Sequence, residues 1–345
     1  MSGTKTNGKT ALITGISGQD GTYLASYLVS LGYEVHGIVR RHSVAENQNT
    51  RVSYLTGVTT HYGDMTDPQS LKIVVNRILK KKPWKIDEVY NLAAQSHVRI
   101  SFDVPQYTLD TNGMGVLNLL EVLRELSPES KVYQAGSSEM FGNSVDEDGF
   151  QRKTTPFTPT SPYGCSKVLA HNLCSHYREA YGMHICNGIL FNHESPLRGI
   201  NFVTNKVVRG AVEIHTGRKD KLLLGNLDAC RDWGHSRDYV RAMHLILNQG
   251  SPDDWVVATG ETRSVRDLCE YVFSSLDKDY RDYVEVDSRF FRPHEINILK
   301  GDASEIKEKL GWKPSYTFES MIDEMIRYWK DHFNPYKFDE EWGHV

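Results

Sequence analysis

"TALITGISGQDG", Thr10–Gly21, decides the fold. Its first half is an unbroken apolar run, and Gly15, Gly18 and Gly21 follow at G-x-x-G-x-x-G spacing. From Asp20 to Leu31 the residues read as a helix, closed by Gly32. A strand delivered into a helix through glycines makes a turn that a pyrophosphate can approach closely, and the helix N-terminus favours its charge. Glycine patterns occur in many loops, so this reading depends on what surrounds it.

What surrounds it is repetition. "YEVHGIV" and "VTTHYGD" read as a second and a third strand, and a helix is predicted from about Pro68 to Lys80. "DEVYNLAA" is a fourth strand, a helix covers Asn112 to Leu126, and "KVYQAGS" is a fifth strand. Strand and helix alternating at this spacing predict an α/β fold with a Rossmann-type, doubly wound parallel sheet. The strands lack polar alternation, as strands covered on both faces should. Beyond about Asn192 the order loosens into polar, turn-rich stretches between helices such as Ser264–Leu276 and Phe318–Phe333. The expected division is a nucleotide-binding domain over residues 1–191 that holds the catalytic groups. Residues 192–345 would form a smaller substrate-binding α/β region over the sheet's carboxyl edge, with some chain crossing back.

Bulk properties narrow the class. The 345 residues are 39% hydrophobic and 24% charged, ordinary for a globular protein with a sizeable core. A net charge of −4 gives no bias toward nucleic acid. Five scattered cysteines without a C-x-x-C pair argue for reduced thiols, against a disulfide framework and against a metal site. The polar start "MSGTKTNGKT" reads as no signal peptide, and no apolar run approaches the roughly 20 residues of a membrane helix. A cytoplasmic enzyme or binding protein is expected.

The second strand ends in "GIVRRHS", where enzymes that use NAD usually carry an acid. Arg40 and Arg41 suit a 2′-phosphate and predict NADP, the alternative being a solvated basic pair on a loop. "YGDMTD" would set Asp64 and Met65 beside the adenine, and "NLAAQSHV" would line the cofactor with Leu92, Ala93, Ala94 and Ser96. In "SPYGCSK", Tyr163 and Lys167 share a helix face, and the ammonium should lower the tyrosine's pKa so that it can take a proton from a sugar hydroxyl. Y-x-x-x-K is common on helix surfaces, but here it follows "AGSSE", which supplies Ser137 or Ser138. That stretch also carries Glu139, a carboxylate that a simple dehydrogenase does not need; it is either a second proton-transfer group or an acid capping a loop.

Through "GISGQDG", "NLAAQS", "SSE" and "YGCSK" the chain resembles the extended short-chain dehydrogenase/reductase family over nearly its whole length. The resemblance implies Ser137, Tyr163 and Lys167 as the catalytic hydroxyl, tyrosine and lysine. It adds Ser17, Gln19, Asp20 and Tyr107 to the cofactor contacts. Epimerases and reductases of the family generally lack the acid, so Glu139 points to a sugar dehydratase, removing the C5 proton and helping the C6 hydroxyl depart. "ILFNHESPLRG", "RDWGHSRDYV", "VVATGE", "RFFRPHE" and "GDASEIKEKLGWKP" look like the GDP-mannose 4,6-dehydratase branch. Ser138, where thymidine-type glucose dehydratases carry Asp, supports that branch; Ser137 departs from its usual Thr.

That likeness implies GDP-mannose as substrate. Asn192, Lys206, Arg231, Arg292 and Glu295 would hold it, with Ser96, Ser138 and Glu139 on the sugar side, while His193 and Arg198 close over the NADP. Arg231 could instead pair with its neighbour Asp232. The arm Arg41–Leu55 resembles one that reaches a neighbouring subunit, so a homotetramer, or at least a dimer, is expected. An epimerase or NADPH-dependent 4-keto reductase, and a non-catalytic NADP sensor on the same fold, are the rival readings.

Overall fold

The computed structural model describes residues 7–41, 56–81 and 86–333. Six strands alternate with helices in the first half: β1 (Thr10–Thr14), α1 (Gln19–Ser30), β2 (Glu34–Val39), β3 (Val58–Tyr62), α2 (Pro68–Leu79), β4 (Glu88–Asn91), α3 (Val98–Asp103), α4 (Pro105–Leu109), α5 (Gly115–Leu126), β5 (Lys131–Ala135), α6 (Pro162–Tyr181) and β6 (Ile185–Leu190). The second half begins with β7 (Asn192–Glu194), α7 (Val203–His215), β8 (Leu222–Leu224), β9 (Cys230–Arg231), β10 (Trp233–His235) and α8 (Ser236–Leu247). It continues with β11 (Asp254–Val257), β12 (Arg263–Ser264), α9 (Val265–Ser274), β13 (Val284–Val286), β14 (Ile298–Leu299), α10 (Ser304–Leu310) and α11 (Phe318–His332).

The main sheet runs β3-β2-β1-β4-β5-β6-β11, every pair parallel, so it is the doubly wound Rossmann-type sheet. Its strand order reverses between β1 and β4, where Ala11 pairs with both Val35 and Glu88. In such sheets ligands bind outside the carboxyl ends of the strands at that reversal. The seventh strand, β11, comes from the second half of the chain and pairs with β6 (Trp255 against Gly188). Lack of alternation holds for the central strands; β3 is an edge, and Thr59, Thr60 and Tyr62 on it are exposed.

Two apolar layers cover the sheet. Leu24 and Leu28 of α1 meet Val240, Met243 and Ile246 of α8 on one face. Leu71, Val74 and Ile78 of α2 meet Leu119 and Leu123 of α5 and Cys174 of α6 on the other. A separate core of α7, α9 and α11, including Val208, Leu268, Phe273 and Met325, supports the short strands beyond the sheet. Each fully buried aliphatic side chain contributes about 1.5–3 kcal/mol. Among the described residues no helix is long and apolar enough to cross a membrane.

Helix ends follow local chemistry. Ser161 accepts from the Gly164 N–H and Pro162 opens α6, which ends at Gly182 with φ 65°. The helix expected from Asn112 begins earlier: α4 runs into a π turn, Asp110–Met114, and on into α5. Close packing marks that turn, since a Cβ on Gly113 would stand 2.7 Å from Leu169 of α6, and one on Gly115 2.7 Å from the Met65 Cβ.

Candidate active site

Gly15 takes φ 68°, and a Cβ on it would lie 2.8 Å from the Ala93 nitrogen, so the turns after β1 and β4 touch at the strand reversal. Thr14 fixes that contact: its hydroxyl accepts from the Leu92 and Ala93 N–H groups, both at 3.1 Å, and donates to Asn91 Oδ1. A Cβ on Gly21 would stand 2.4 Å from the Gly15 carbonyl oxygen, so α1 packs down on the turn. Gly18 is the N-cap of α1 and no side chain caps the helix, which leaves its first-turn amides to an anion. The spacing of Thr14 carried no signal in sequence.

The next two residues anchor the clip to the second half of the chain. Gln19 donates to the His193 carbonyl at 3.1 Å and accepts from the Ser195 hydroxyl at 2.7 Å. Asp20 Oδ2 lies 2.7 Å from His193 Nε2, and His193 Nδ1 lies 2.7 Å from the Phe191 carbonyl. Both ring nitrogens therefore face acceptors, the arrangement of an imidazolium. Burial works against the charge on His193, but Asp20 outweighs it and raises the imidazole's pKa. Burial likewise pushes the Asp20 carboxyl up, and the His193 charge overcomes it and holds that carboxyl below its ordinary range. Arg198 lies 3.1 Å from Glu194 with its guanidinium 3.7 Å from the Phe202 ring centroid.

At the end of β2 the structure brings Arg40, Arg41, Asp64, Asp67 and Ser70 around a hollow of about 390 Å³. Arg40 donates to the Tyr107 hydroxyl, and the Arg41 guanidinium lies over the Tyr62 ring. Met65 is not in that wall; it is buried beneath α5, its carbonyl accepting from Asn118. Ser17 and Ala93 line neither this hollow nor the main cavity. Of the arm expected at 41–55, all but Arg41 lies outside the described residues.

The main cavity, about 780 Å³, opens along the carboxyl ends of β4, β5 and β6. Leu92, Ala94 and Ser96 form one wall, Ser137, Ser138, Glu139, Tyr163 and Lys167 the floor, and His193 and Arg198 the side toward the clip. Ser137, two residues past β5, caps the short turn Ser138–Met140, its hydroxyl accepting from the Glu139 N–H at 3.2 Å. Lys167 donates to the Ala135 carbonyl at 2.8 Å and stands 5.7 Å from the Tyr163 ring centroid. The expected depression of the tyrosine is not what this environment produces. Burial pushes the Tyr163 phenol up to about 12, against the smaller opposing effect of Ser137. Burial also pushes the Lys167 ammonium down to about 8, outweighing the smaller opposing effects of Cys174 and Asp20.

Beside Glu139 the cavity becomes cationic. Asn192, Lys206, Arg231, Arg292 and Glu295 all line it. Lys206 lies 3.6 Å from the Phe290 ring centroid, and burial lowers its pKa. Arg231 does not pair with Asp232, whose carboxylate instead accepts from Thr259 and the Gly260 N–H. Burial first, then the charge of Arg292, push the Arg231 guanidinium down to about 10. Both oxygens of Glu139 lie beside Arg292, at 3.0 and 3.2 Å. His97, Phe202 and Phe290 also line the cavity and were not singled out in sequence, since isolated aromatics in loops carry no periodic signal. Among the described residues no group of three or more His, Cys, Asp or Glu could hold a metal ion.

Comparison with known proteins places the chain in a family. A family model described as GDP-mannose 4,6 dehydratase matches residues 12–325. GDP-mannose 4,6 dehydratase 2 of Arabidopsis thaliana is 50% identical over 329 residues, covering 92% of this chain and 86% of that protein. The Homo sapiens GDP-mannose 4,6 dehydratase is 44% identical over 342 residues, covering 92% and 90%. Among solved structures, the dTDP-glucose 4,6-dehydratase of Bacillus anthracis in complex with NAD superposes with a TM-score of 0.78 at 23% identity, covering 93% of this chain and 96% of that one. RMD from Pseudomonas aeruginosa complexed with NADPH gives 0.76 at 22% identity, covering 93% and 99%. These structures share the fold.

Proposed function

The chain belongs to the GDP-mannose 4,6-dehydratase family, a family of hydro-lyases, and from that premise we propose that it converts GDP-mannose to GDP-4-keto-6-deoxymannose and water. The observation that carries this is the meeting of Ser137, Glu139, Tyr163 and Lys167 on one cavity floor, with Lys206, Arg231 and Arg292 lining the same cavity.

The residues present fit a nicotinamide dinucleotide. The Gly15–Gly21 turn is a cradle that a Cβ would fill, and α1 begins uncapped. Arg40 and Arg41 at the end of β2 favour NADP over NAD, by supplying guanidinium groups to a 2′-phosphate. Bound there, NADP would accept hydride from C4 and return it to C6, ending as it began.

Tyr163, with Ser137 beside it, takes the C4 hydroxyl proton. Ser137 and the Arg198 guanidinium favour the phenolate against burial, and the Lys167 ammonium stands 5.7 Å from the ring centroid. With a ketone at C4, the C5 proton is acidic; Glu139 removes it and passes it to the C6 hydroxyl, which leaves as water. Hydride returned to C6 would be matched by a proton to C5, and the proton that Tyr163 took from the C4 hydroxyl closes that balance. Lys206, Arg231 and Arg292 neutralise the diphosphate.

A homo-oligomer, tetramer favoured, is part of the same proposal. Ile100, Val104, Tyr107 and Met114 are large apolar side chains exposed on successive turns of α3, α4 and the π turn, which supports a covered face.

Mass spectrometry of the product formed from GDP-mannose with catalytic NADP tests the function. Loss of one water without accumulation of NADPH is expected. Glu139→Gln should slow formation of that product about 10²–10⁴-fold while the C4 hydride step survives as a transient of reduced cofactor. Turnover of a thymidine or uridine sugar with GDP-mannose untouched would overturn the substrate.

A further inference from the structure

Glu139 and Arg292 stand 153 positions apart in sequence, yet Arg292 Nη1 reaches both carboxylate oxygens, with the Glu139 side chain 7% exposed and that of Arg292 23%. Two clamps bring them together. The Arg292 N–H donates to Glu295 Oε1 at 2.6 Å, which bends the segment around its own acid. Asn143, just past the Glu139 turn, donates through Nδ2 to the Glu295 carbonyl at 3.0 Å and accepts from the Asn297 N–H at 3.0 Å. One amide side chain thus registers the arginine segment against the turn that carries the acid.

The charges around this contact are balanced. Arg292 and Arg231 repel each other, while Glu139 and Glu295 attract both. Tyr163 faces Glu139 from α6, and His97 feels Arg292 from the start of α3. Two guanidiniums and two carboxylates therefore share a largely buried cluster without net charge. A diphosphate entering at Arg231 adds two negative charges, and the arginine nearest it must change partner. A guanidinium suits phosphate oxygens as well as carboxylate oxygens, and a single nitrogen, Nη1, makes both bonds to Glu139, so the exchange costs Arg292 little.

We propose that Arg292 is shared: it restrains the Glu139 carboxylate until the diphosphate of a sugar nucleotide takes the guanidinium, so that the base is freed only beside bound substrate, with Asn143 as the positioning residue that sets the two segments in register. The proposal rests on the dehydratase reading and adds when its base becomes free. A carboxylate stripped of a guanidinium neighbour, in a site that excludes water, becomes a stronger base. Substrate binding therefore converts a structural ion pair into a proton acceptor.

The test counts protons. Titration calorimetry of GDP-mannose into the Tyr163→Phe holoprotein, which blocks turnover, is run near about pH 5 in two buffers of different ionisation enthalpy. Uptake approaching about one proton per bound nucleotide is expected. Glu139→Gln in the same background should abolish it, and Arg292→Gln should reduce it. Asn143→Ala should reduce the uptake per bound nucleotide, a readout that a merely structural role for Asn143 would leave unchanged. Binding without proton uptake, or uptake that survives Glu139→Gln, overturns the shared arginine and leaves the dehydratase reading standing. No binding of GDP-mannose overturns both.

Discussion

Lys167 is the residue whose placement is hardest to justify by stability alone. It is 4% exposed and donates to the Ala135 carbonyl. Its folded pKa, about 8, lies below the ordinary 10.5. The stability associated with this group is present above pH 10.5 and is lost as pH falls through about 8, so at neutral pH the buried ammonium is a liability of roughly 3 kcal/mol. Lys167→Met should therefore raise denaturant stability at pH 7 by up to about that amount, gain much less above pH 10, and abolish turnover. Denaturant melts at the two pH values, beside an activity assay, check all three outcomes. Tyr163, Lys167 and Glu139 were readable from sequence because they stand in short, ordered motifs. Their protonation was not: the sequence gives Lys167 as a neighbour of Tyr163 but says nothing of the burial that outweighs it. Nor could it pair Glu139 with Arg292, since a contact across 153 positions leaves no local pattern.

At the scale of elements, the strand-to-helix alternation was readable because each unit obeys local rules: apolar runs for strands, glycine at turns, Ser161 and Pro162 before α6. What escaped was set by packing between units. The π turn Asp110–Met114 exists where Gly113 and Gly115 lie against Leu169 and Met65, partners far away in sequence. Met65 followed the same logic, turning inward beneath α5 instead of toward the hollow at Arg40. The junction of β1 and α1 is the least forgiving. In Gly21→Ala the added carbon would meet backbone, at 2.4 Å from the Gly15 oxygen and 2.5 Å from the Ile16 Cα, neither of which can rotate away. This substitution should cost about 1–3 kcal/mol of stability and weaken NADP binding roughly 10-fold or more. Thermal melting and cofactor titration by fluorescence measure the two effects.

At the scale of the molecule, the two halves are sewn together behind the site. Gln151 is fully buried, donates to the Ser144 carbonyl and accepts from the Lys300 N–H, while its backbone bridges to Gly301. The clip is tied to β7 through Gln19, Asp20 and His193. The central sheet itself is finished by β11, a strand drawn from beyond α8. On the ribosome this order has a price. β6 leaves the exit tunnel with one edge bare, and that edge stays bare until Val257 has emerged. Unpaired strand edges recruit other chains. Nascent chains stalled after β6 has cleared the tunnel but before β11 has emerged should associate with chaperones and be cut readily by protease, whereas chains stalled after the final helix has cleared the tunnel should be resistant. Translation speed between β6 and β11 thus becomes a determinant of yield.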